Sequence, residues 1–590
     1  MPSLALNRVP SFTLRRSGWF RQVLGPNLFF VLIVVILLLL IAFPIGQMVV
    51  QSFRSGHPAA PGPFTLQNYI TAFSHPLTYR MMWNTFVFAT ASTIVTMGLA
   101  VLFAWLIERT DMPLRNLAWT LLLIPLAMPG LLFSMAWVLL LSPDNGIINQ
   151  MLRVPLANWF GIELEKGPIN IYSMGGMIFL DGLRGVTTVF LIVVGAFRMM
   201  DPALEEAART AGASTQETLR KVTLPVLLPA ILAAFLYSYM SSMESFEAPL
   251  VVGLPAGIYV YSTMIYFSTR LVPSYGLGAV FSVSYFLIAI LLVWIYQRVV
   301  IYRTERFATV TGKGYRPRVT PLGKWRYVAL GLFALYFLFA VVLPLAVLIW
   351  TSLLPQYRTF NWSQINQLTF MHYEALAQES GILQALWNTV IVTVCTATGA
   401  VLLSFYISWI VVRVQMRGRF LLDSLAFLSH AVPGIIVALA FIFLYIQPPF
   451  RYLGLYGTVW IIILALVTQY IAFATRTMNA AITQIHKELE EAGRIAGANR
   501  LTVLMRVTLP LVFPALAAAW IWVAAHAVRS FSIPLMLASR DNWTIAVLLW
   551  HYWDESQSIS MATTLGVVLM FAITVMTFLG RRLIVRAYGQ

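Results

Sequence analysis

The chain has 590 residues, of which 59% are hydrophobic and only 10% charged, with a formal net charge of +17. A soluble domain averages about 45–50% apolar and about 25% charged residues, so an ordinary soluble enzyme is excluded. The basic excess does not imply nucleic acid, because membrane proteins gather Lys and Arg in their cytoplasmic loops.

Arg8, Arg15, Arg16 and Arg21 precede an apolar run from Phe29 to about Val50. That run is too long for a signal h-region and lacks a small-residue cleavage site, so it reads as an uncleaved first span. Runs of similar length follow near 84–107, 117–141, 174–197, 226–250 and 277–300. A second set lies near 327–350, 388–411, 421–445, 456–475, 511–530 and 560–580. About twenty apolar residues cross a hydrocarbon core of about 30 Å. The expectation is an all-α polytopic membrane protein with about 12 transmembrane helices. With both termini cytoplasmic, about three times as many Lys and Arg fall inside as outside, the bias that sets orientation.

The most informative feature is internal repetition, which defines the architecture when present. Leu204–Ala213 (LEEAARTAGA) matches Leu489–Ala498 (LEEAGRIAGA) at an offset of 285, which also carries Val222-Thr-Leu-Pro225 onto Val507-Thr-Leu-Pro510. Upstream the offset is 304, carrying Trp83-Asn84-Thr85 onto Trp387-Asn388-Thr389 and Pro129-Gly130 onto Pro433-Gly434. The difference of 19 places an insertion in the first copy, in the outside loop near 142–172. Two parallel six-helix repeats are expected, at 1–300 and 326–590, related by an axis along the membrane normal. Between them, residues 301–325 are rich in Gly, Pro, Lys and Arg and read as a cytoplasmic linker. Its basic residues suit anionic headgroups better than nucleic acid.

The polar loop after the fourth span is about 28 residues long in each copy, more than connectivity requires. Asp201-Pro202 reads as a helix start, Gly212 as its end, and a second short helix from about Thr215 is expected to stop at Pro225. Small residues beside paired carboxylates suit a helix that enters a groove on a partner. Here the chain resembles a known family. Glu206-Ala207-Ala208, Gly212 and Val222-x-Leu224-Pro225 look like the EAA loop of binding-protein-dependent ABC importer permeases. Glu491-Ala492-Gly493, Gly497 and Val507-x-Leu509-Pro510 repeat it, with glycine for the second alanine. The resemblance implies that Glu205, Glu206, Ala207, Ala208 and Gly212, with Glu490, Glu491, Ala492, Gly493 and Gly497, dock on two ATP-binding subunits. It further implies a solute-binding protein outside and a bacterial inner-membrane location. The fused layout with Glu244-Ser-Phe-Glu-Ala-Pro249 is most similar to ferric iron permeases, with thiamine, aminoethylphosphonate and polyamine permeases as close relatives.

Charge inside a span marks an interior surface or a cavity. Asp181 and Arg184, three apart on the fourth span, are expected to pair on one helix face. The 285 offset places Glu244 on Arg529, Ser241 on His526 and Glu247 on Ser532. Glu244, Glu247, His526 and Arg529 are therefore the candidate pathway residues, with Glu244 and Arg529 facing each other or sharing one cavity. No catalytic or metal set is expected: the seven histidines are scattered, and Cys395 alone can build neither a disulfide nor a zinc site. The chain lacks a G-x-x-x-x-G-K-[ST] loop, so no cofactor is expected and ATP would be bound by partner subunits. One rival is a gradient-driven secondary transporter, which would have no use for duplicated acidic loops. The other is a membrane-embedded enzyme, which would need clustered His, Asp or Glu within the spans or a motif such as H-E-x-x-H.

Overall fold

Apolar runs with no water to satisfy their backbone become helices, because only a helix or a closed barrel pairs every N–H and C=O within lipid. The computed structural model describes residues 26–201, 203–304, 319–414, 418–429 and 432–588. The basic residues Arg8 to Arg21, Pro202 and most of the 301–325 linker lie outside the described residues.

In the first repeat α1 spans Phe30–Ser52, α2 Pro76–Arg109, α3 Arg115–Ala127, α4 Gly130–Leu141 and α5 Met174–Met199. After α6 (Ala203–Thr210) come α7 (Gln216–Glu244) and α8 (Tyr275–Ile295). The second repeat follows the same order: α9 Trp325–Ser352, α10 Ser380–Arg413, α11 Arg419–Leu428, α12 Gly434–Tyr445 and α13 Val459–Gln484. It ends with α14 Lys487–Ile495, α15 Leu501–Ala527 and α16 Ile559–Met576. The extra residues of the first copy hold a helix at Ile147–Phe160, and a small antiparallel hairpin pairs Arg54–His57 with Ala60–Phe64.

Among the described residues ten helices are long and apolar enough to cross a membrane, or eleven if the bent α3–α4 pair counts as one. The expected count of about twelve stands with the third span of each repeat counted once, but that span is broken rather than one straight helix. The α3 and α4 axes meet at 96°, and the second-repeat equivalent is likewise divided into α11 and α12. Proline is the cause. Met128 is extended (φ −85°, ψ 119°), as the residue before a proline prefers. Each break leaves N–H groups unpaired at the start of the following helix and carbonyls unpaired at the end of the preceding one.

The fifth spans also differ from expectation. The second arm of each hairpin does not stop at Pro225 or Pro510. It continues into the span, through a π turn at Leu219–Thr223 in the first copy and at Leu504–Thr508 in the second. The wider turn accommodates the ring that would clash with a carbonyl in a regular α-helix. Each hairpin is thus joined to the far end of its fifth span by one unbroken helix.

The first helix of each repeat packs against the other repeat. On α13, Thr468 Oγ1 donates to the Leu40 carbonyl of α1 at 3.2 Å, and Gln47 Nε2 donates to Gln447 Oε1 at 2.7 Å. Reciprocally, Phe103 on α2 meets Tyr336 on α9 with ring centroids 5.1 Å apart. Within a repeat, α2 and α5 touch closely at glycine. A Cβ at Gly182 would lie 2.8 Å from Val95, and Thr96 Oγ1 donates to the Gly182 carbonyl at 2.9 Å. Small residues at such contacts let membrane helices approach closely enough to gain dispersion energy.

Candidate functional site

Two hairpins and one cavity carry the candidate residues. In the first hairpin α6 ends at Gly212, whose φ of +90° is the left-handed conformation glycine adopts freely, and Ala213 N–H donates back to the Ala208 carbonyl at 3.0 Å. Gly497 repeats this with φ +86° and an Ala498 N–H to Gly493 carbonyl bond of 3.1 Å. The second arm starts on a capping box: Ser214 Oγ accepts from Glu217 N–H, and the Glu217 carboxylate accepts from Ser214 N–H. In the second copy Asn499 Oδ1 accepts from Thr502 N–H at 2.8 Å.

The paired carboxylates of each hairpin have different surroundings. Glu205 is 6% and Glu490 3% exposed. Glu205 lies 3.5 Å from Arg109 and accepts from Thr223 Oγ1 at 2.7 Å. Glu490 lies 3.1 Å from Arg413 and accepts from Thr508 Oγ1 at 3.0 Å. The two arginines also donate to equivalent carbonyls at the ends of the fourth spans, Phe197 and Ile482, each at 2.8 Å. The reading of Glu205 and Glu490 as docking residues is therefore corrected: both face inward and fasten the hairpin to the second and fifth spans. Arg109, Arg413, Thr223 and Thr508 were missed, although the 304 and 285 offsets already relate them. Ala207, Gly212, Glu491, Ala492 and Gly497 are exposed, whereas Glu206, Ala208 and Gly493 are half-buried. Glycine replaces the second alanine where a Cβ would come within 3.2 Å of Val503. Beside them Ile495 is 88% exposed and Leu489 49%.

Between the repeats lies a cavity of about 300 Å³, lined from the first by Asp181, Arg184, Tyr237, Glu244 and Glu247 and from the second by Gln469, Tyr470, His526 and Arg529. All four predicted pathway residues line it. Glu244 and Arg529 share it without pairing, because each bonds elsewhere. The Glu244 carboxylate accepts from Gly434 N–H and from Gln469 Nε2, both at 3.0 Å. Gly434 opens α12, so the carboxylate meets unpaired N–H groups and the positive end of a helix dipole. The Arg529 guanidinium donates to the Leu126 carbonyl and to His526 Nε2. A guanidinium can only donate, so Nε2 accepts and the ring proton of His526 sits on Nδ1, 2.8 Å from the Trp522 carbonyl.

The expected Asp181–Arg184 pair is also corrected. Arg184 lies 3.7 Å from Glu247, and Asp181 accepts from Ser242 Oγ at 2.6 Å. The short Asp181 side chain reaches only the adjacent α7, while the longer Arg184 extends past the end of α7 to Glu247. Beyond the latter end of the fifth spans, Phe246 and Phe531, equivalent under the 285 offset, meet with centroids 6.0 Å apart, and Tyr266 and Trp550 flank them. Both phenylalanines are fully buried and line the cavity just past the ends of the fifth spans that lie away from the hairpins. Tyr237, 38% exposed, and the exposed Ser241 lie on the hairpin side of the same cavity. These phenylalanines were not anticipated, although the offset that paired Glu244 with Arg529 pairs them too.

Comparison with known proteins places this geometry in a family. Residues 97–301 and 400–588 match the family described as binding-protein-dependent transport system inner membrane component. The putative ferric transport system permease protein FbpB 1 of Haemophilus influenzae is 25% identical over 523 residues, 86% of this chain and 77% of that protein. The ferric transport system permease protein FbpB of Actinobacillus pleuropneumoniae is 24% identical over 92% of this chain and 76% of its own. A crystal structure of a bacterial ABC transporter involved in the import of the acidic polysaccharide alginate aligns at TM-score 0.36 and 19% identity, over 44% of this chain and 94% of that one. With matched segments in both repeats that together exceed half its length, the chain belongs to the binding-protein-dependent transport system inner membrane components, as a multi-pass inner-membrane permease.

Proposed function

We propose that this chain alone forms the membrane part of an ABC importer for ferric iron. A binding protein would deliver the solute on the face away from the hairpins, where Phe246 and Phe531 lie. Two ATP-binding subunits would grip the exposed surfaces of α6 and α14 on the cytoplasmic side. The observation that carries this reading is mechanical: each hairpin is fastened by a buried carboxylate and continues as one helix to the shared cavity. A displacement imposed on α6 or α14 would pass through the Glu205–Thr223 or Glu490–Thr508 bond into the fifth helix and so reach Glu244 or the Arg529 turn. Nucleotide chemistry on the partners would shift the population between outward- and inward-open states in proportion to their differential affinity for each.

Ferric iron is favoured over other solutes because the relatives named for it extend over 86% and 92% of the chain. The spermidine/putrescine permease PotC of Escherichia coli aligns over only 30%. The cavity offers carboxylate and hydroxyl oxygens, the donors that hard cations take. Among the described residues no three His, Cys, Asp or Glu side chains come together to hold a metal. The test is reconstitution with the ATPase subunits in proteoliposomes, adding binding proteins loaded with ferric iron, thiamine, aminoethylphosphonate or a polyamine. ATP hydrolysis should rise several-fold with the ferric form alone. Stimulation by another loaded protein and none by the ferric form overturns the substrate assignment.

A further inference from the structure

We propose that Glu244 and Arg529 are the two arms of an asymmetric latch that holds the cavity shut on the face away from the hairpins. The proposal rests on the cavity being the solute pathway. The two residues occupy equivalent positions in the repeats yet carry opposite charge. Each reaches across to the broken third span of the other repeat. Such a break exposes two kinds of unpaired backbone group, N–H after it and C=O before it. The carboxylate of Glu244 takes the first kind, Gly434 N–H at the start of α12. The guanidinium of Arg529 takes the second kind, the Leu126 carbonyl within α3. One acid and one base thus read opposite poles of equivalent breaks, an arrangement open to a fused chain and closed to a symmetric homodimer.

Position explains the consequence. Phe246 and Phe531 stand two residues beyond the latch in each repeat, so the bonds that hold Glu244 and Arg529 also hold the two rings together. Gln469, from the second repeat, donates a further bond to Glu244. Hydrogen bonds weaken steeply with distance and angle, so a shift of about 1 Å in a fifth helix is enough to release an arm. Because each fifth helix begins in a hairpin, the same movement that repositions a hairpin would open the latch.

The experiment uses the full chain in oriented membrane vesicles, with Cys395→Ala and a single reporter, Ser241→Cys, in the cavity. A small membrane-impermeant methanethiosulfonate reagent is added from one face at a time. The parent should label from the hairpin face and only slowly from the opposite face. Glu244→Leu with Arg529→Met should raise opposite-face labelling about ten-fold, the effect of losing hydrogen bonds of ordinary strength. Glu244→Gln, whose amide oxygen can accept both bonds, should stay within about two-fold of the parent. Gln469→Ala, a milder change, should raise opposite-face labelling alone. Labelling of the Leu/Met and Gln469→Ala chains that stays at the parent rate, with hairpin-face labelling intact, overturns the latch. A rise from both faces together reports general loosening and also counts against it. Absence of labelling from either face removes the pathway reading on which the latch depends.

Discussion

At Glu205 and Glu490 each acidic hairpin turns one of its two adjacent glutamates toward its own chain. The ion pairs with Arg109 and Arg413 are nearly dry, the arginine side chains being 3% and 5% exposed. Removing one partner from a buried pair leaves an uncompensated charge and costs about 3–5 kcal/mol. Arg413→Ala should therefore lower the thermal unfolding midpoint in detergent markedly, whereas Glu491→Ala at the exposed neighbour should change stability by no more than about 0.5 kcal/mol. Equal shifts in scanning fluorimetry would contradict the division of labour between the two glutamates. The motif showed that acids belong here. It could not show which one faces inward, because adjacent residues on a helix lie about 100° apart and the packed face is set by α2 and α7.

At the scale of elements, the second arm of each hairpin and the fifth span form one helix. Gly212 and Gly497 end the first arms where the sequence placed those ends, because glycine accepts the left-handed conformation at little cost. Pro225 misled, since the neighbouring π turn absorbs the disruption that ordinarily ends a helix. The broken third spans were hidden for a related reason: hydropathy measures the length of an apolar run and is blind to a bend within it. If the exposed hairpin surface is what partners grip, Glu206→Lys with Glu491→Lys should abolish co-purification of the ATP-binding subunits. Elution of the permease itself should not change, because neither residue forms an ion pair with the described chain at 4.0 Å or less. Retained co-purification would remove the docking role from these two glutamates.

Across the whole molecule, the exchange of first helices ties the repeats together. Since α1 packs on α13 and α9 on α2, neither repeat completes its own surface. Separately expressed fragments 1–304 and 319–590 should each be unstable, and co-expression should recover a complex that elutes at the size of the intact chain. Two fragments that are each stable and monodisperse alone would show that the exchange contributes little.

Composition, hydropathy and the two offsets by themselves determined a helical membrane protein written twice, with paired acidic hairpins and opposite charges at equivalent positions. These properties are local or periodic, and a linear chain displays them directly. Only the tertiary structure decided that Glu205 and Glu490 are anchors, that Arg184 pairs with Glu247, and that Glu244 and Arg529 each bond to a break in the opposite repeat. Such choices depend on which helices meet and on where a broken helix leaves unpaired backbone groups, and neither is fixed until distant segments pack.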